Sequence, residues 1–106
     1  MKVNILGTEY DFAEGTKANN AKLYSSAGYC DNNSKEIRYD SDMEANHPDA
    51  SNNPDAFLRY VKRHELIHAF LYESGWRDRC DDETLVDWIA IQFPKILKVF
   101  QEIEAL

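Results

Sequence analysis

The chain has 106 residues, a formal net charge of -7 and 29% charged residues, which is one domain's worth of chain with room for a single core. Nineteen Asp and Glu against 12 Lys and Arg exclude the clustered basic surface of a nucleic-acid binder, since Arg59, Lys62 and Arg63 form the only basic cluster. No apolar run approaches the roughly 20 residues that span a bilayer, and the opening MKVNILGTEY lacks a secretory leader's apolar stretch and cleavage site, so a cytoplasmic protein with no membrane partner is expected.

In chain order, Lys2 to Leu6 and Glu9 to Phe12 read as strands around a Gly7-Thr8 turn. Lys22 to Cys30 and Glu36 to Asp40 read as a second pair around the polar Asp31-Asn32-Asn33-Ser34 stretch. A small antiparallel sheet follows. In its last strand Ile37 and Tyr39 alternate with Glu36, Arg38 and Asp40, and that short, charged pattern suits an edge position. Ser41 to Asn53 is nearly devoid of apolar residues and reads as a loop between sheet and helices.

Asn53 and Pro54 suit a cap and first turn, and Gly75 a stop, which places a first helix from about Pro54 to Ser74. Asp81 or Asp82 caps a second helix beginning at Glu83, which Pro94 kinks or interrupts, leaving Lys95 to Leu106 as a third segment with Ile96, Val99, Phe100 and Ile103 on one face. Cys30 and Cys80 are far apart with no C-x-x-C pairing and are expected as free thiols. The fold class is therefore α+β, a single domain over residues 1–106 with a small sheet packed on the first helix and the helix of Glu83 beside it.

The first helix carries HELIH, His64 to His68. Four residues at about 100° each return a side chain to nearly the same face, so the two imidazoles can chelate one ion. Glu65 lies beside them, where a carboxylate can take a proton from metal-bound water. A catalytic zinc site needs a third protein ligand and an open position. Glu83 is the candidate, because the Gly75 stop and polar turn let the second helix fold back. Asp87, one turn further on, is placed to accept a hydrogen bond from the outer nitrogen of a ligating histidine. The competing readings are structural: His64 and His68 continue the apolar stripe of Phe57, Tyr60, Val61, Ile67 and Leu71, Glu83 is a dipole-stabilised N-terminal acid, and Asp87 a solvated residue.

HELIH followed by Glu83-Thr84-Leu85-Val86-Asp87 resembles the HExxH plus ExxxD signature of gluzincin metallopeptidases, with unusually short spacing. Minigluzincins and the ImmA/IrrE-like small bacterial and phage peptidases look most similar, and Ala27 to Asp31 with Ile37 to Tyr39 also resembles their hairpin. The resemblance implies a compact zincin-like fold and a zinc-dependent endopeptidase acting on a protein or peptide substrate, a regulatory protein among the candidates. His64, His68 and Glu83 carry over as Zn2+ ligands, Glu65 as general base and acid, and Asp87 as a supporting residue. It also implies an edge strand that pairs with an extended peptide, for which Glu36 to Asp40 is the candidate. Tyr24, Tyr29, Tyr39, Tyr60, Tyr72 and His47 are each able to stabilise an oxyanion, and the sequence selects none. A zinc-stabilised protein-binding module without proteolytic activity and a metal-free helical interaction domain are the alternatives.

Overall fold

The computed structural model describes residues 1–42, 47 and 52–106. Strands β1 (Lys2–Ile5), β2 (Thr8–Gly15), β3 (Gly28–Asp31) and β4 (Glu36–Asp40) precede helices α1 (Pro54–Glu73) and α2 (Glu83–Glu102). Most of the expected Ser41 to Asn53 loop lies outside the described residues. The class is α+β, and among the described residues no helix is long and apolar enough to cross a membrane.

β1 and β2 form a hairpin whose two-residue loop is Leu6-Gly7 rather than the expected Gly7-Thr8. Both loop residues have positive φ (51° and 96°), the handedness that matches strand twist. The Asn4 side chain accepts the Gly7 amide at 2.8 Å and holds the turn. The expected strand from Lys22 is instead a 3-10 turn, Ala21–Tyr24, followed by the four-residue β3. Asn20 caps that turn by accepting the Lys22 amide, and the turn buries Leu23 completely, so local capping and one core side chain override strand pattern there.

The sheet order is β1-β2-β4-β3, with β4 antiparallel to β3 and parallel to β2. The sheet is therefore mixed, not antiparallel, and β4 is an inner strand. The charges that suggested an edge are used across strands: Arg38 Nη2 lies 2.7 Å from Asp11 Oδ2 and its Nε 3.2 Å from Glu36 Oε1. Ile37 and Asp40 are each 1% exposed. The outer strand on this side is β3.

Asn53 accepts the Ala56 amide at 3.1 Å, Pro54 occupies the first turn, and α1 ends before Gly75 at φ +92°. Its buried residues, Val61, Glu65, His68 and Ala69, form one stripe at helical spacing. Ala69 joins Ile5, Tyr10 and Ile37 in the main core cluster, so this stripe is what α1 lays on the sheet. The two site residues thus sit on the helix face that packing holds most firmly.

Glu73 fastens the end of α1. Its carboxylate accepts from Thr8 Oγ1 at 2.9 Å and Tyr10 Oη at 2.7 Å, and pairs with Lys35 Nζ at 2.8 Å. The Lys35 ammonium first, then the Tyr10 hydroxyl, hold its carboxyl down at about 2 from an ordinary 4.5. A depressed carboxyl stabilises the fold above its unfolded pKa and loses that contribution as pH falls through the folded value. Glu73→Gln is expected to cost about 1–3 kcal/mol at neutral pH. The gap between the two proteins' melting temperatures should narrow as pH falls from about 4.5 toward about 2; a gap that is constant with pH would refute the ionic contribution.

Asp82, rather than Asp81, caps α2, accepting the Leu85 amide at 3.1 Å. Pro94 does not interrupt it: α2 runs on to Glu102, and Lys95 to Leu106 is no separate segment. The proline's missing amide leaves the Ala90 carbonyl without its helical donor. Arg63 Nε of α1 donates to that oxygen at 2.7 Å. A donor from the neighbouring helix replaces the lost bond, and the helix continues.

Candidate metal centre

Where α2 folds back along α1, three side chains converge. His64 Nε2 and His68 Nε2 are 3.2 Å apart, and the two oxygens of Glu83 lie 2.9 Å from the first and 3.1 Å from the second. Ligands held about 2.0–2.2 Å from a tetrahedral zinc are separated from each other by about 3.3 Å, so this spacing fits a single ion. His64, His68 and Glu83 are the group of potential metal ligands found among the described residues. Glu83 stands in the first turn of α2, where the helix dipole favours an anion, and it is brought in by the turn from Gly75 to Asp82.

The far nitrogens of the two imidazoles differ in their surroundings. His68 Nδ1 faces the Cys80 carbonyl in a short contact. A carbonyl accepts only, so Nδ1 carries a proton, and Nε2 is the nitrogen that faces the cluster. His64 Nδ1 is buried, and it lies 2.8 Å from Asp87 Oδ1 but off the line of a hydrogen bond, leaving it without an aligned partner. Tyr60 Oη donates to the same Asp87 oxygen at 2.5 Å, and its ring meets the His64 ring edge-on with centroids 5.8 Å apart. Asp87 thus stands on the outer side of His64, but the hydrogen bond expected between them is not formed. The desolvation of Tyr60, then its bond to Asp87, pushes the phenol's pKa up and keeps it a donor.

A cavity of about 480 Å³ opens over this cluster, between α1, the start of α2 and strand β3. Glu65, 8% exposed, lines it beside the two histidines. Burial first, then the Glu83 and Asp87 carboxylates, push the Glu65 carboxyl from 4.5 up to about 8. That is the direction a proton carrier near neutrality needs, and a bound cation would draw it back down.

No family model, curated protein or solved structure matches this chain. A donor set of two imidazoles and one carboxylate suits zinc, and three protein ligands would leave a fourth position open.

All five sequence-predicted residues, His64, Glu65, His68, Glu83 and Asp87, meet here. Of the six oxyanion candidates, Tyr60 and Tyr29 line the cavity. The Tyr29 hydroxyl donates to Glu36 at 3.0 Å and accepts from Asn20, while Tyr24 is 67% exposed and His47 pairs with Asp40 at 2.9 Å. Cys30 and Cys80 are free thiols. Burial, then the Glu65 charge, pushes Cys30 up to about 12, which makes it a poor nucleophile.

Two contributors carried no recognisable sign of this role in the sequence. The Cys80 carbonyl is a backbone atom, and any residue would supply it. Gly28 matters for what it lacks: a Cβ there would lie 2.9 Å from the Arg38 carbonyl and from Val61 Cγ1, and 3.2 Å from Glu65 Cγ. β3 can pass this closely over the site helix only without a side chain. Gly28→Ala is expected to cost about 1–3 kcal/mol by overpacking and to displace Glu65. Thermal melting checks the first effect and a crystal structure of the variant the second; an unchanged melting temperature overturns the packing argument.

Proposed function

We propose that the chain is a small zinc-dependent endopeptidase of gluzincin type that hydrolyses a peptide bond in a protein or peptide substrate. The observation that supports this best is the convergence of His64 Nε2, His68 Nε2 and the Glu83 carboxylate within 2.9–3.2 Å of one another, with Glu65 beside them in an open cavity. When bound by these three residues, zinc supplies Lewis acidity and water acidified to a pKa of about 7.

The remaining work falls to the protein's own groups. Glu65 takes the proton of the attacking water and delivers it to the leaving amine. The peptide C–N bond breaks, the acyl carbon gains the hydroxyl, and the nitrogen gains the proton, giving a new carboxylate and a new amine. The Cys80 carbonyl orients the His68 imidazole from behind, and Asp87, held by Tyr60, places a negative charge beside His64. The strand beside the cavity is β3, so it replaces β4 as the one that pairs with an extended substrate. Its ladder partner β4 occupies one edge, and Gly28, Tyr29 and Cys30 of β3 line the cavity.

The test is cleavage of an unfolded protein by the purified full chain, followed by mass spectrometry. Cleavage is expected to stop with a zinc chelator and return on adding zinc. Stoichiometric zinc without cleavage of any peptide in a diverse library would move the reading to a zinc-stabilised binding module, which the same cavity and strand could serve.

A further inference from the structure

The second half of α2 leaves the body of the protein with its apolar side uncovered. Phe93, Val99, Phe100 and Ile103 are 47%, 51%, 45% and 66% exposed, more than scattered surface hydrophobics account for. α2 packs on α1 through Val86 and Ala90, both fully buried. Leu85, Ile89, Gln92, Ile96, Val99 and Ile103 follow each other at alternating steps of four and three residues. At about 100° per residue, this seam lies roughly 130° around the helix from the α1 contact. Six positions at that spacing are the a/d pattern by which helices pair; Val99 and Ile103 are exposed, and Leu85, Ile89, Gln92 and Ile96 half-buried. Pro94 falls on the other side and leaves the seam unbroken.

We infer that this seam pairs with the same seam of a second copy of the chain, antiparallel, about a two-fold axis between Ile96 and Val99. The residues beside the seam select the occupant and the direction. In this register Ile96 faces the partner's Val99, and Gln92 faces the partner's Ile103. One flank then sets Lys95 against the partner's Glu102, twice by symmetry, and the other sets Phe93 against the partner's Phe100, also twice. Both pairs are separated by seven residues, as a two-fold arrangement requires. Parallel pairing instead stacks Lys95 on the partner's Phe100 and places Gln92 against Gln92. The antiparallel axis lies about ten residues, or about 14 Å, beyond Val86 and Ala90, the residues through which α2 packs on α1.

The contact is modest. A strip of helix about 20 Å long and half its girth, from each copy, covers about 700 Å² in total, below the size of a stable specific interface, so the pairing is weak. A weak dimer that forms only at high protein concentration is expected, independent of zinc and of catalysis.

Sedimentation velocity on the full chain over a wide concentration range tests this. The mass should rise toward twice that of the chain at high concentration. Val99→Glu with Ile103→Glu, both exposed and near the end of α2, should remain monomeric throughout with an unchanged circular dichroism spectrum. Lys95→Glu should weaken dimerisation about tenfold, and Lys95→Glu with Glu102→Lys should restore it, which only the antiparallel register predicts. A wild-type chain that stays monomeric, a dimer indifferent to the two glutamates, or a charge swap that fails to restore pairing would each overturn the inference.

Discussion

Saturating zinc is expected to raise the melting temperature of the metal-free protein by about 15–30 °C, and Glu83→Ala to abolish most of that rise. A ligand that binds only the folded state at about 1,000 times its Kd stabilises it by about 4 kcal/mol. Each kcal/mol moves the midpoint of a domain near this size by about 4–8 °C. Glu83 is 64% exposed on its side-chain surface, so its removal costs the metal-free fold little. The effect of the substitution should therefore appear almost wholly in the zinc-bound protein, which separates ligation from structure. Removing residues that only orient a ligand costs about 10–100-fold in affinity, and removing Glu83 should exceed that. A wild-type melting temperature indifferent to zinc would leave the two histidines as core residues and end the metal reading.

Glu65→Gln should keep the zinc-dependent shift and lower turnover by about 10²–10⁴, the usual worth of a positioned acid–base group. The amide preserves the volume of the buried side chain and removes its ability to carry a proton. The metal-free proteins supply a second readout. A carboxyl raised to about 8 in the fold from 4.5 favours folding fully below 4.5, and that contribution is lost as pH rises toward 8, because the charged form is desolvated and faces Glu83 and Asp87. Metal-free Glu65→Gln should thus be more stable than the metal-free parent near pH 8, with the difference vanishing in acid. Retained cleavage in a clean preparation of the variant would remove Glu65 from the proton-transfer role.

Much of the site was legible because it lies on helices. The four-residue spacing of His64 and His68 is a geometric statement wherever a helix forms, and Asn53, Pro54 and Gly75 bound that helix by local chemistry. At the start of α2 the sequence offers Asp81 or Asp82 as the cap, and the structure selects Asp82. Strands were less legible, because their neighbours are chosen by residues far away in sequence. The charges of β4 look the same whether they face water or the Asp11 carboxylate of β2. Period-2 patterning likewise specifies which side of a strand is buried and leaves open whether the next strand is parallel. Pro94 is the third case: sequence predicts a break, and Arg63, on another helix, supplies the donor that prevents it.

The sequence by itself therefore determined where both helices start, where α1 stops and the residue types able to hold a metal, since all of these depend on neighbours within about one turn. Only the tertiary structure decided that Glu83 reaches both imidazoles, that Tyr60 holds Asp87 beside His64, and that β3 rather than β4 borders the cavity. The physical reason is range: a helical turn closes over four residues, whereas the donor–acceptor geometry of the site is set by α1, α2 and β3 coming together, with Gly28 leaving the space for them to do so.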